Sequence, residues 1–151
     1  MSPPIIRLAR REDAPAFVAL VRALAEFEKL PGPDDAAAAR LVDDAFGATP
    51  RYELLVAELA GELVAYAVFF PTYSTFRARP TLFLEDLFVH PRARRHGVAT
   101  RMLAHLRELA RARGCGRFEW MVLDWNAGAM QLYDGVGARR LDEWRLYRVD
   151  L

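Results

Sequence analysis

The chain has 151 residues, 53% of them hydrophobic and 27% charged, and its 21 basic and 20 acidic residues leave a net charge of +1. That is one domain's worth of chain with enough apolar residues for a substantial core, and its charge is too balanced for a chain-wide polyanion-binding surface. Cys115 is the only cysteine, which excludes an intramolecular disulfide and fits a reducing compartment. The start, Met1-Ser2-Pro3-Pro4-Ile5-Ile6-Arg7, is not a secretory signal, and no segment has the ~18 consecutive apolar residues of a membrane span. The expectation is a cytoplasmic enzyme or binding domain, with no membrane and no nucleic-acid partner.

In chain order, Ile5 to Leu8 reads as a short strand. Asp13 before Ala14-Pro15 reads as an N-cap with proline in the first turn. Phe17, Leu20, Val21, Leu24, Ala25 and Phe27 follow at helical spacing until Pro31-Gly32-Pro33. A second helix is expected from about Asp34 to Phe46. Tyr52 to Glu58 and Leu63 to Phe70 read as a hairpin around Ala60-Gly61-Glu62, and Pro71 to Pro80 as irregular. Leu82 to Val89 is a strong strand. Pro91 to His96 is a basic loop, and Gly97 to Arg113 an amphipathic helix closed by Gly114. Phe118 to Leu123 is a strand, Asn126 caps a short helix through Tyr133, and Leu141 to Val149 is a final strand. This order predicts a single mixed α/β domain, residues 1–151, around a central sheet.

The segment from Val89 to Thr100 joins a buried strand to a long helix. A helix start offers backbone N–H groups without intrahelical partners and the positive end of the dipole. Small residues at Gly97 and Ala99 let an anion approach those groups, and Arg92, Arg94 and Arg95 add charge. On this chemistry alone, an ordinary solvated basic turn is an equal alternative.

The spacing Arg94-x-x-Gly97-x-Ala99 resembles the (Arg/Gln)-x-x-Gly-x-(Gly/Ala) signature of the GNAT acetyltransferases, between a central strand and the next helix. Ala25-Glu26-Phe27-Glu28-Lys29, Tyr73-Ser74-Thr75-Phe76, Leu84-Glu85-Asp86-Leu87-Phe88-Val89, Val122-Leu123-Asp124-Trp125-Asn126 and Glu143-Trp144-Arg145-Leu146 resemble the diamine branch, which holds the spermidine/spermine and thialysine acetyltransferases. The blocks span nearly the whole chain. The resemblance implies a mixed, mostly antiparallel twisted sheet flanked by helices, with strands splaying at an acetyl-CoA site. It also implies acetyl-CoA as co-substrate, no metal, and a homodimer with the amine site near the subunit interface.

Residue by residue, the resemblance implies that acetyl-CoA meets Leu87, Phe88, Val89, Arg94, Arg95, His96, Gly97, Val98, Ala99, Thr100, Asn126 and Tyr133. The amine is expected at Phe27, Glu28, Glu85, Glu119, Trp120 and Glu143, with Asp142 beside the last. Two positions depart from the pattern: the diamine branch usually has Tyr where this chain has Phe27, and the family very often has Gly where it has Arg95.

Glu85 and Asp86 interrupt an otherwise apolar strand. A buried, unpaired carboxylate is costly, so each needs a partner, water or a proton. Alternation alone would send the two to opposite faces, leaving one for a site and one for backbone or an arginine. The resemblance makes Glu85 the group that contacts the amine and draws off its proton, through water, and Asp86 the structural partner. An alkylamine has a pKa of ~10.4 and is mostly protonated at neutral pH, while only the neutral amine attacks a thioester. Glu28 alone would read as a solvated helix position.

Asn126 and Tyr133 lie two helical turns apart and can address one side of a helix. The resemblance assigns Asn126 to the pantetheine arm and Tyr133 to the leaving thiolate; without it, Tyr133 would read as a core tyrosine with a wet hydroxyl. His90, His96 and His105 fall on a loop and mid-helix and do not form a metal set. The leading expectation is an acetyl-CoA-dependent N-acetyltransferase acting on a small polyamine or lysine-like primary amine by direct attack. The alternatives are a GNAT enzyme for a protein N-terminus, an amino acid or an aminoglycoside, and a non-catalytic acyl-CoA-binding sensor.

Overall fold

A computed structural model describes residues 2–151. They form two compact units, one reaching Met121 and the other Val122–Leu151.

The first unit opens with β1 (Ile5–Leu8), a 3-10 turn at Arg11–Asp13, and helices α1 (Ala14–Glu28) and α2 (Asp35–Phe46). Asp34 caps α2, accepting from the Ala37 N–H at 2.8 Å. Asp13 does not cap α1 by its side chain. Its carboxylate instead accepts from Arg7 at 2.7 and 3.0 Å and from the Arg10 N–H at 2.7 Å. A bidentate guanidinium outcompetes a helix-end N–H for the same oxygens. This pair and Arg7–Glu58 at 2.6 Å tie the start of the chain to the sheet, and the Arg7 guanidinium holds the Asp13 carboxyl below its ordinary range.

β2 (Glu53–Leu59) and β3 (Glu62–Ser74) form the expected hairpin. Ala60 and Gly61 both have positive φ, 54° and 81°, as a two-residue type I′ turn requires. β4 (Arg79–Val89) pairs back on β3, α3 (Val98–Ala112) crosses over, and β5 (Arg117–Trp120) lies parallel to β4. The sheet order is β1-β2-β3-β4-β5, antiparallel except for the last pair, whose parallel direction needs the α3 crossover.

Pro71 to Pro80 is far more regular than its prolines suggest, because β3 runs on to Ser74 and β4 begins at Arg79. Pro71 lies beyond the last β2–β3 pair, Glu53↔Phe69, and Pro80 lies before the first β4–β5 pair, Thr81↔Arg117. Each proline thus occupies a strand edge where its missing N–H costs no ladder bond.

One face of the sheet carries Leu54, Val56, Tyr66, Val68 and Phe88 against Phe17 and Leu20 of α1. Phe17 meets the Tyr66 ring edge-on at 5.2 Å, a pairing worth about 0.5–1.5 kcal/mol beyond area burial. The alternate residues, among them Leu55, Ala65, Ala67 and Phe69, are fully buried too. The apolar stripe of α3, Val98, Met102, Leu103, Leu106 and Ala110, is buried as well.

The second unit contains α4 (Ala127–Gly135), capped as expected by Asn126. The strand expected over Leu141 to Val149 is not formed; the segment has only a turn near Asp142-Glu143 and irregular backbone. A strand exists only through a partner ladder. Here the backbone has none among the described residues, and Trp144, Leu146, Tyr147 and Val149 are exposed. Among the described residues no helix is long and apolar enough to cross a membrane.

Candidate active site

β4 positions the first part of the site. Its register on β3 shifts so that Phe69 faces Leu84 and Val68 faces Asp86, leaving Glu85 as the extra residue of a β-bulge. Bulges re-aim side chains and suspend strict alternation. Glu85 is exposed at this kink and Asp86 half-buried. β5 accompanies β4 only as far as Leu84↔Trp120. From Glu85 to Val89, β4 therefore continues beyond its parallel neighbour, which is the splay expected near Leu87, Phe88 and Val89.

Asp86 has a partner that sequence reasoning missed. The fully buried Tyr66 donates its phenol O–H to Asp86 Oδ2 at 3.1 Å. Burial pushes the Asp86 carboxyl up to about 6; the Tyr66 hydrogen bond opposes that rise, while the charges of Glu85 and Glu28 add to it. Burial first, then Asp86, raises the Tyr66 hydroxyl far above its ordinary value. Glu28, at the end of α1, is itself raised by burial. Glu28, Glu85 and Asp86 thus form one electrostatic neighbourhood around a buried phenol, and Glu28 is not the simple solvated position it would otherwise suggest. The only signal for Tyr66 in the sequence was a hydroxyl inside the apolar run of β3.

The loop after β4 positions the second part. Gly97 stands at the N-cap of α3 with φ 71°, and no side chain caps the helix. The first intrahelical bond is Arg101 N–H to Gly97 C=O at 3.0 Å, so the N–H groups of Val98, Ala99 and Thr100 precede the ladder. A Cβ on Gly97 would meet nothing within 4 Å, so the space before these donors is open. That combination fits a phosphate group. Arg95 is also left-handed, φ 66°, which explains why glycine is so natural at this position. His96 lies between these two residues.

The arginines of the loop divide. Arg92 reaches back to Glu62 at 3.1 Å and the Leu63 carbonyl at 3.3 Å. Arg94 donates Nε–H to the Val89 carbonyl at 3.2 Å and lies over the Phe27 and Phe88 rings, 5.2 and 6.0 Å from their centres. The structure thereby brings together Phe27, expected on the amine side, with Phe88, Val89 and Arg94, expected at the cofactor.

Of the remaining candidates, Glu119 and Trp120 are half-buried on β5, opposite Phe83 and Leu84. Trp120 packs against Phe118 at 4.8 Å. In the second unit, Asn126 Oδ1 accepts from the Ala129 N–H at 3.2 Å, and Tyr133 lies on α4 half-buried. Asp142 pairs with Arg140 at 2.8 Å, and Glu143 is exposed.

Residues 17–138 match the Acetyltransferase (GNAT) family. The thialysine N-epsilon-acetyltransferase of Bos taurus is 36% identical over 97% of this chain and 92% of its own. The L-ornithine N5-acetyltransferase NATA1 of Arabidopsis thaliana is 37% identical over 66% of this chain and 44% of its own. Among solved structures, the aminoglycoside N-acetyltransferase AAC(6')-Iy in complex with CoA superposes with a TM-score of 0.83 at 20% identity, covering 100% of this chain and 97% of that one. A bulged central strand, an open uncapped helix start behind an Arg-x-x-Gly-x-Ala turn and a match over most of the sequence converge: the chain belongs to the GNAT family and is an N-acetyltransferase.

Proposed function

We propose that the enzyme transfers acetyl from acetyl-CoA to a primary amine of a small polyamine or a lysine-like molecule, by direct attack of the amine on the thioester. The carrying observation is the acidic neighbourhood of Glu28, Glu85 and Asp86 at the bulge of β4. An ammonium entering it meets negative charge, and Glu85, exposed at the kink, accepts its proton directly or through water. The neutral amine then attacks the acetyl carbonyl, and the thiolate of coenzyme A leaves.

In this reading the N–H groups of Val98, Ala99 and Thr100 hold the pyrophosphate, with Arg94, Arg95, His96 and Gly97 around it. Leu87, Phe88 and Val89 offer the free edge of β4 to the pantetheine arm. The Asn126 side-chain oxygen is engaged as a cap, so its amide N–H groups serve that arm. Tyr133 protonates the leaving thiolate. Phe27, Glu119, Trp120 and Glu143 line the amine side. A homodimer in the cytoplasm completes the reading, supported by the exposed Leu146, Tyr147 and Val149, which a second copy would cover.

A thiol-release assay tests it with spermidine, thialysine, lysine, ornithine, a peptide N-terminus and an aminoglycoside as acceptors. Turnover on the polyamine or the lysine-like amines is expected. Turnover confined to the peptide or the aminoglycoside would replace the substrate assignment, and tight acetyl-CoA binding without any turnover would replace the enzyme with a sensor.

A further inference from the structure

Tyr66 is unexplained by the reaction as drawn. Its ring belongs to the core between α1 and the sheet, where phenylalanine would pack as well, yet it carries a hydroxyl aimed at a carboxylate. A buried phenol that only satisfied itself could have used a backbone carbonyl, as Tyr52 does with Leu41. Asp86 needs the bond more than Tyr66 does. The charges acting on Asp86 are both acidic, Glu85 on its own strand and Glu28 on α1. Arg94, stacked on Phe27 and Phe88, is not among them, and neither α3 nor β5, which also pack on β4, contributes one among the described residues. The phenol O–H is therefore the group that favours ionised Asp86 against burial and two like charges.

We propose that Tyr66 is a positioning residue of the amine site: its phenol keeps the Asp86 carboxylate charged and fixed beside Glu85, so that two carboxylates of β4 receive the substrate ammonium. The role deepens the acetyl-transfer reading and rests on it. No proton moves to Asp86 during turnover. The ammonium proton passes to Glu85, leaving a neutral amine and a carboxylic acid, and Asp86 remains the anion that drew the cation in. Protonating Asp86 removes that charge, so amine binding weakens on the acid side before the chemistry does.

The test is Tyr66→Phe, which keeps the ring and deletes the donor. In the wild type, the acid limb of kcat/KM for the best amine is expected near pH 6, where Asp86 titrates. In Tyr66→Phe that limb moves upward by about one pH unit, the scale of a charge-assisted hydrogen bond lost from a carboxylate. The change lies in KM, with kcat nearly constant. A purely structural tyrosine would lower thermal stability and leave the limb in place, and that result overturns the proposal.

Carbon-13 titration of the Asp86 carboxyl in protein without substrate gives a readout independent of turnover. Its midpoint rises in Tyr66→Phe; an unmoved midpoint overturns the proposal even if activity changes. If Tyr66→Phe does not fold, Asp86→Asn carries the same question. It retains an acceptor for the phenol, and the limb near pH 6 disappears with a raised amine KM; a persisting limb assigns it elsewhere and overturns the proposal. If the wild type acetylates no amine, the acetyl-transfer reading falls and the catalytic role falls with it, while the carboxyl titration still reports whether Tyr66 controls Asp86.

Discussion

The guanidinium of Arg94 stands 5.2 Å from the centre of the Phe27 ring, and its Nε–H bonds the Val89 carbonyl, so the loop before α3 is fastened to the last turn of α1 and the end of β4. A guanidinium can stack, donate and still present remaining N–H groups to a phosphate; an ammonium cannot do all three. Arg94→Ala should weaken acetyl-CoA binding by roughly ten- to a hundredfold, the range of one or two charge-assisted hydrogen bonds. Arg94→Lys should recover little of it. Calorimetry at low and high salt checks both, since the wild type should lose more affinity on adding salt than Arg94→Ala does. Equal affinity in the three proteins would remove Arg94 from the cofactor site.

Two left-handed positions, Arg95 and Gly97, shape the same loop, and they predict opposite results. Arg95 has φ 66° with a side chain, which costs about 1–2 kcal/mol that glycine would not incur. Arg95→Gly should therefore raise stability by a little under that amount, because glycine also loosens the unfolded chain, and leave acetyl-CoA binding largely intact. Gly97 has φ 71° with open space around it, so the penalty for Gly97→Val is conformational, not a clash. A β-branched residue strongly resists that φ. The turn would reshape, and acetyl-CoA binding should be lost while the core persists. Thermal unfolding with and without acetyl-CoA separates the cases; normal binding by Gly97→Val would contradict the backbone-donor assignment.

Much of this architecture follows from local rules visible in the sequence. Asp34 and Asn126 cap the helices they precede, Ala60-Gly61 makes the hairpin turn, and the Arg94-x-x-Gly97 spacing opens α3. What local rules cannot carry is pairing. The bulge at Glu85 exists only because β3 and β4 slip by one residue there, and strict alternation reads straight through it. Pro71 and Pro80 look like strand breakers until the lengths of β2 and β5 show that neither is paired in the β2 or the β5 ladder. Leu141 to Val149 has strand-like composition and no ladder to join. The Tyr66–Asp86 bond spans 20 residues of sequence and depends on the register of two strands, so neither residue announces the other.

Tyr133 lies on α4 behind the Asn126 cap, on a helix whose register is fixed by that cap. As the proton donor to the departing thiolate it would act only once the tetrahedral intermediate collapses. Tyr133→Phe should therefore lower kcat by about a hundredfold or more, the scale of general acid catalysis, while acetyl-CoA affinity changes little. Steady-state kinetics beside a binding isotherm measures the split. A thiol with a low pKa needs less help in leaving, so an acyl donor with an activated thiol should narrow the difference between Tyr133→Phe and wild type. Unchanged turnover with acetyl-CoA would take Tyr133 out of the mechanism.

The charge on the half-buried Asp86 makes the folded protein less stable. Its carboxyl lies at about 6 in the folded protein against an ordinary 3.8. The folded state thus binds this proton more tightly than the unfolded chain does, and charging the group costs stability as pH rises through that window, with the full cost present above it. Asn at this position cannot charge, and it still accepts from Tyr66. Asp86→Asn should accordingly be more stable than the wild type near neutral pH, by about 1–2 kcal/mol after allowance for its partial exposure. The gain should shrink on acidification and vanish below the ordinary 3.8, where the carboxyl is protonated in the unfolded wild-type chain as well. Urea unfolding of both proteins across this range gives the difference directly. The same substitution should raise the amine KM, so the variant gains stability as it loses substrate affinity. A variant that was less stable than wild type at neutral pH would mean that the charge on Asp86 is compensated in the fold, and that its burial is structural.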